Sequence, residues 1–303
     1  SVRFYWMYAP EAAPDGMTVV FFPSDAVGSI WRYELPGCEG GDIEIPAGHY
    51  SMMAFNNDTK YISYSGTEHM ASFNAYTARI SPVDWPTTVT ESYPGISDHT
   101  GYISPDYLYC GTAEDVSVDL CSVAYRPCMP DDDSAESAVK ECGRHVLRCF
   151  PGPRSSSYTC IARNVTNIEG MRRAYFVLSG LSPSELIAYD VLSDSDGEYM
   201  FAASRDDADI SGKTLAFGSS ASGSVHQYLY LIVVLADGRV VPYCHDVSQQ
   251  VMNSPDKRNV IIIVDGIDLP FVEPGTPDDP DTDFDVAVDD WETVIIDHIV
   301  TSR

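Results

Sequence analysis

The sequence predicts an all-β protein: two antiparallel β-sandwich domains in tandem, with few short helices. Three observations carry this reading. The runs Ile43–Asn57 and Phe284–Asp297 alternate apolar and polar residues with the period of two that a half-buried antiparallel strand requires. Short strand-like runs recur along the chain with Gly, Pro, Asp and Asn between them, which favours sandwiches over a parallel α/β sheet. Near the middle, Pro151–Gly152–Pro153 has a composition that should not continue a ladder. The boundary is therefore placed there, giving an N-terminal sandwich over 1–152 and a C-terminal sandwich over 153–303.

The N-terminal elements follow in order. Val2–Tyr8 is aromatic and reads as a first strand. Pro14–Asp15–Gly16 is a turn. Met17–Phe22 is almost continuously apolar, so this strand is expected to be buried on both faces. Ser29–Leu35 follows Gly28 as another strand, and Gly40–Gly41 leads into a hairpin with Ala47–Gly48 at its tip. Tyr61–Ser65 is a further strand, ended by Gly66. From Ser81 to Tyr107, prolines at 82, 86, 94 and 105 break regular structure into a long loop or a set of short turns. Val116–Tyr125 restores alternation, and Ala135–Cys142 reads as a short helix behind Asp131–Ser134, with Glu136 and Lys140 one turn apart. His145–Phe150 and Tyr158–Asn164 flank the boundary as strands.

In the second half the candidate strands are Met171–Ser179, Glu185–Leu192, Glu198–Ala203, Leu215–Phe217, His226–Leu235, Arg239–Asp246 and Asn259–Val264. Asp237–Gly238 is a type I′ hairpin signal, and Val247–Asn253 reads as a short helical connection. Glu273–Asp283, acidic and proline-rich, reads as a solvated linker into the last strand pair.

Composition narrows the function classes. Asp and Glu number 45 against 18 Lys and Arg, a net charge of -27 over 303 residues. Such a chain lacks the basic face that nucleic acid or an anionic lipid surface requires. No run approaches the ~20 apolar residues of a membrane-spanning helix. The sequence starts at Ser1, without an initiator Met, and so reads as a processed or trimmed chain in which a missing export signal carries no information. Of eight cysteines, Cys110, Cys121, Cys128, Cys142, Cys149 and Cys160 cluster, while Cys38 and Cys244 stand apart. The even count suits disulfides in an exported protein, and buried free thiols are the alternative. None forms Cys-x-x-Cys, so a zinc ribbon has no support.

The search for chemistry nominates no residue. Gly212–Lys213–Thr214 ends like a phosphate-binding loop, but Asp207 stands where that loop needs Gly, and a turn before a strand is the better reading. Asp194–Ser195–Asp196–Gly197 resembles part of a calcium loop, but Leu192 occupies its first ligand position, so a hairpin turn is expected. His49, His69, His99, His145, His226, His245 and His298 are scattered, and no Gly-x-Ser-x-Gly elbow is present. Asn57–Asp58–Thr59 and Asn164–Val165–Thr166 are formal glycosylation sequons. Tyr61, Tyr64, Tyr102, Tyr107 and Tyr109 lie near turns, where they either pack the core or offer faces to sugars. No catalytic, cofactor-binding or metal-binding residue is assigned, no cofactor is expected, and the binding residues are left unassigned.

Several segments together resemble a known family. Asp15–Pro23, Ile45–Tyr50 followed by Ala54–Thr59, Asn164–Ile168, Leu178–Ser182 and Val288–Glu292 occur in the order of similar segments in the fimbrillin-like surface lipoproteins of the Bacteroidales, on the branch beside the minor fimbrium anchor and accessory subunits. The resemblance implies transthyretin-like sandwich domains, export, and a lipid-modified Cys just upstream of Ser1. It also implies an outer-membrane, cell-surface location and a non-catalytic role as a pilus anchor, accessory subunit or adhesin. The partners it implies are other fimbrial subunits or host and bacterial surface ligands. A surface glycan-binding module is the alternative. Terminal strands commonly lie at sheet edges, so Val2–Tyr8 or Phe284–Val300 is expected to form the assembly contact.

Overall fold

A computed structural model describes residues 1–25, 28–81, 85–90, 100–118, 146–222 and 226–273. The N-terminal half contributes β1 (Val2–Phe4), β2 (Gly16–Pro23), β3 (Trp31–Pro36), β4 (Gly40–Gly41), β5 (Gly48–Asn56), β6 (Ile62–Ser65), β7 (Asn74–Thr77), β8 (Arg79–Ile80), the helical turn α1 (Thr87–Thr90), β9 (Gly101–Tyr102), β10 (Tyr109–Val118), β11 (Leu147–Cys149) and β12 (Gly152–Pro153). The C-terminal half contributes β13 (Ser156–Arg163), β14 (Met171–Ser182), β15 (Ser184–Leu186), β16 (Val191–Leu192), β17 (Gly197–Asp206), β18 (Asp209–Ala216), β19 (Gly218–Ser219), β20 (Tyr228–Leu235), β21 (Val240–Asp246), α2 (Ser248–Met252) and β22 (Asn259–Asp265). The protein is all-β, as its patterning predicts.

The five-stranded sheet β12-β10-β5-β2-β3 forms the middle of the first half. Its central strands are apolar on both faces because both faces are covered. Met17, Val19, Phe21, Met52 and Ala54 pack with Val2, Phe4 and Cys149 from the sheet β11-β1-β4. Val20, Phe22, Met53 and Phe55 pack the other way, with Phe73, Ala75 and Ile187 around the sheet β16-β15-β7-β6. The expected double burial of Met17–Phe22 is therefore observed. The expected wet face of the 43–57 run is not, because Met52–Asn56 are all buried. The hairpin expected at Ala47–Gly48 is also absent: β5 starts at Gly48, and Ile43 and Ile45 pack on the core from a non-strand segment.

In the second half, β14, β17, β20 and β21 form one layer, and β18, β13 and β22 form the other. β17 passes between them. Gly197–Ala203 pairs with β14, and Ser204–Asp206 turns to pair with β18. Phe176, Leu178, Leu229, Leu231, Ile210, Cys160 and Ile262 fill the space between the layers. On the outer side, Trp85 and Val89 cover Val177 and Ile232.

Most pairings are antiparallel, but each half is closed by a parallel pair. β1 runs parallel to β11, with Val2 beside Leu147 and Phe4 beside Cys149. β13 runs parallel to β22, from Ser157 beside Asn259 to Arg163 beside Asp265. The halves also exchange pieces. β15 from the second half pairs with β7, and β9 from the first pairs with β17. Gly152–Pro153, expected to interrupt the ladder, instead pairs with Tyr109 and Cys110 as β12. It does so at a sheet edge, where a residue without an N–H is tolerated.

Other boundaries shift for local reasons. β1 stops at Phe4, and Trp6 turns away to donate its indole N–H to Cys38 O at 2.7 Å. Gly212–Lys213–Thr214 lies inside β18, paired with Tyr158–Cys160, rather than in a turn. The Asp237–Gly238 hairpin is present but is not type I′. Gly238 has φ +85°, Asp237 is not left-handed, and Gly238 N donates to Leu235 O at 3.0 Å, which describes a type I turn closed by a left-handed glycine. Gly238→Ala is therefore expected to lower the unfolding free energy by about 1 kcal/mol, read as a lower urea midpoint at unchanged slope. The helix expected over Ala135–Cys142, the end of the Val116–Tyr125 strand and the terminal run Phe284–Asp297 lie outside the described residues.

Candidate interaction sites: sheet edges and a cleft at the seam

Sheet edges offer one kind of site. Among the described residues β21 pairs only with β20, and Pro242 in its middle removes one N–H from the edge. The opposite edge, β22, is closed by a side chain. The Gln250 amide donates to Ile263 O and accepts from Ile263 N, each at 2.9 Å. The α2 turn that carries Gln250 is set by Val247 N donating to Gln227 O at 2.9 Å and by burial of Val251. Among the described residues β3, at one margin of the five-stranded sheet, pairs only with β2, with Arg32 and Glu34 ion-paired at 2.8 Å on its surface. β1 is not an edge. It lies between β11 and β4, hydrogen-bonded on both sides, which corrects the expectation that the first strand is open for exchange. The reason is that the parallel return of Leu147–Cys149 covers its second side.

A second site lies where the halves meet. A cleft of about 690 Å³ is walled by Tyr8, Tyr107 and Tyr109 and edged by Asp58, Asp106 and Arg258. Its floor is fixed by Asn56, which is buried. The Asn56 amide donates to Asp58 at 2.7 Å and to Tyr107 O at 3.0 Å, and its oxygen accepts from Tyr109 N at 2.7 Å. Asp106 accepts from the backbone N–H groups of Lys60 and Tyr61 at 2.7 and 2.6 Å. Tyr109 packs edge-on against Trp6 at 5.6 Å. Tyr8 is 64% exposed and its ring faces solvent; Tyr107 is 47% exposed, with Lys213 Nζ 5.6 Å from its ring centroid and donating to its hydroxyl at 2.8 Å. A second depression of about 470 Å³ shares Tyr8, Pro153 and Arg258 and extends the trough toward Phe150.

Beneath the seam is a charged cluster. Glu185 on β15 is fully buried, 3.5 Å from Arg154 Nε. Neither carboxyl oxygen has a hydrogen-bond partner. The guanidinium groups are committed elsewhere. Arg154 Nε donates to Ile187 O at 2.8 Å, and Arg258 donates to Arg154 O, Phe217 O and Asp190. Burial pushes the Glu185 pKa up to about 9, against the lowering pull of Arg258 and Arg154, and nearby Asp190 raises it further. Asp190 itself moves the other way: although burial raises it, Arg258 and Arg154 hold it below the usual range.

The sequence-level candidates separate. Tyr64 packs against Phe55 at 4.9 Å and Tyr102 against Tyr199 at 6.1 Å, both in the core, whereas Tyr107 and Tyr109 line the cleft. Tyr61 lies half-buried under Lys60. Tyr8 and Arg258 also line the cleft, and neither is a candidate by sequence. The only sequence signal for Tyr8 was the aromatic run Tyr5–Tyr8, which patterning assigns to a strand. The five cysteines among the described residues are free thiols; Cys110, Cys149 and Cys160 are buried, and burial raises the pKa of Cys110 and Cys149 to about 12. The hairpin turn expected at Asp194–Gly197 is not formed: Asp194–Asp196 lies in the connection from β16 to β17, Gly197 opens β17, and the two strands take different partners, β16 pairing with β15 and β17 with β14. The sequon side chains Asn57 and Asn164 donate to Glu34 and Asp265. Among the described residues no group of three or more His, Cys, Asp or Glu is placed to hold a metal ion. No helix among them is long and apolar enough to cross a membrane.

Residues 1–202 match the family described as "Domain of unknown function (DUF5119)". A Bacteroides ovatus protein described as "Putative fimbrium anchoring subunit Fim4B" is 23% identical over 180 residues, which is 59% of this chain and 47% of that protein. The match thus spans about half the length of that relative. A crystal structure of a "putative adhesin" from Bacteroides ovatus superposes with a TM-score of 0.61 at 19% identity, over 91% of this chain and 93% of that one. A structure from Bacteroides thetaiotaomicron described as "putative polysaccharide binding proteins (DUF1812)" gives 0.51 at 12% identity, over 88% and 90%. These likenesses establish a common fold.

Proposed function

We propose that this chain, which belongs to the DUF5119 family, is a non-catalytic cell-surface protein that serves as a fimbrial anchor or accessory subunit or as an adhesin. The observation that carries the reading is the near end-to-end likeness to the Bacteroides ovatus adhesin fold. The partial match to a fimbrium anchoring subunit supports it. An all-β body whose margins at β21 and β3 are unpaired among the described residues suits strand-edge contacts with other fimbrial subunits or with surface ligands. In this reading the chain is exported and tethered to the outer membrane by a lipid upstream of Ser1. The stretches 1–152 and 153–303 act as two sandwich units, each closed by its own parallel pair.

The terminal run Phe284–Val300 is the proposed assembly contact. Deleting Phe284–Arg303 in the native host cell tests this. The expected result is loss of the protein from sheared surface fibres, read by immunoblot and immunogold microscopy, at an equal cellular level of the truncated chain. Unchanged fibre incorporation removes the assembly role.

A further inference from the structure

We propose that the cleft at the seam is a binding site for a neutral oligosaccharide, held by stacking on tyrosine rings. The inference rests on the cleft alone and does not depend on the fimbrial reading.

The shape comes first. Ligand sites favour concavities at the junction of structural units, with volumes of roughly 300–1,000 Å³. The main cleft has about 690 Å³ and runs on into a second of about 470 Å³ across Tyr8 and Arg258. The result is an elongated trough suited to a linear chain of several rings, not a closed pocket for one small molecule.

The walls come next. A pyranose has an apolar face of C–H groups and a rim of hydroxyls. It needs flat π surfaces and, beside them, groups that accept or donate hydrogen bonds. Tyr8, Tyr107 and Tyr109 supply the rings, and Asp58 and Asp106 supply the polar rim, beside Arg258, whose guanidinium is engaged by Arg154 O, Phe217 O and Asp190. Tyr8 is about two-thirds exposed in a backbone turn held by Ala9 N to Trp6 O and Ala12 N to Ala9 O, at 3.1 and 2.9 Å. The Asn56 and Asp106 hydrogen bonds fix the loop that carries Tyr107 and the start of β10 at Tyr109. Little ordering is therefore left to be done on binding, which favours affinity for weakly held ligands such as sugars.

Charge selects among glycans. Glu11, Asp58, Asp106 and Asp190 line the trough against Arg154 and Arg258, within a chain of net charge -27. Sulfated or uronic-acid polymers are repelled there, and neutral ones are not.

The test is isothermal titration of the purified chain with cellohexaose, xylohexaose and mannohexaose to about 5 mM, the range of weak single-site binding. A heparin-derived hexasaccharide serves as the anionic comparison. At least one neutral hexasaccharide is expected to bind. Tyr8→Ala and Tyr107→Ala should each weaken it about tenfold, while Tyr8→Phe, which keeps the ring, and Tyr228→Ala, on the β20 surface, leave it unchanged. The proposal fails if none of the three neutral sugars binds, if binding survives both alanine substitutions, or if the heparin fragment binds more tightly. A chain that enters fibres yet binds no sugar removes this inference and leaves the fimbrial reading standing.

Discussion

Replacing Phe55 by Ala is expected to lower the unfolding free energy by about 3–5 kcal/mol, and replacing Met52 by Ala by about 2–5 kcal/mol. The two residues lie on opposite faces of β5. Phe55, 1% exposed, packs against Tyr64 at 4.9 Å and Phe73 at 5.3 Å. Met52, 0% exposed, belongs to the separate core formed with Val2, Phe4 and Cys149. In an ordinary two-layered sandwich one of the two would point to water and tolerate truncation. Here both cavities are enclosed, because a further sheet covers each side of the central one. Urea unfolding of the two variants decides the matter. A loss below about 1 kcal/mol for Met52→Ala would mean that the sheet β11-β1-β4 does not seal its face.

Glu185→Gln is expected to stabilise the protein at alkaline pH, by about 2–4 kcal/mol at pH 8, and to change little below pH 4. The sign follows from linkage. The folded-state pKa of about 9 lies above the ordinary value of 4.5, so between these values the folded chain holds a proton that the unfolded chain has released. Stability from this group is whole at acid pH and is lost as pH rises through that window. Gln keeps the shape of the protonated acid and has no proton to lose, so its advantage over Glu grows with pH until about 9 and then levels off. Urea midpoints of both chains from pH 4 to 9 measure it. A Gln variant that is less stable than the parent at pH 8 would show that Glu185 is ionised and paired with Arg154.

The sequence reading reached the strands because their local chemistry is self-contained. Met17–Phe22 was legible as doubly buried from its unbroken apolar run, and Asn259–Val264 from its β-branched residues. The same logic failed for Met52–Phe55. Their apolar run is plain, but the residues flanking it alternate, and alternation implies one wet face. The parallel closures were out of reach, since nothing near Val2–Phe4 announces a partner at Leu147–Cys149. The cleft was hidden for the same reason. Tyr8, Tyr107 and Arg258 become neighbours only after four sheets have assembled, and each alone reads as a surface residue. Glu185 was invisible too, because an acid in a strand that crosses into the other half looks like any solvated acid.

Each parallel closure sets how the chain bears mechanical tension. A pull entering β1 from its N-terminal side and leaving β11 toward Gly152 drags these two strands past each other lengthwise. The same holds for a pull entering β13 at Ser156 and leaving β22 beyond Asp265. In that loading geometry the cross-strand hydrogen bonds of a pair lie across the force and must rupture together, whereas strands peeled from one end give way one bond at a time. Both halves thus carry a shear clamp, β1 with β11 and β13 with β22, and a stretched chain resists until a whole clamp slips.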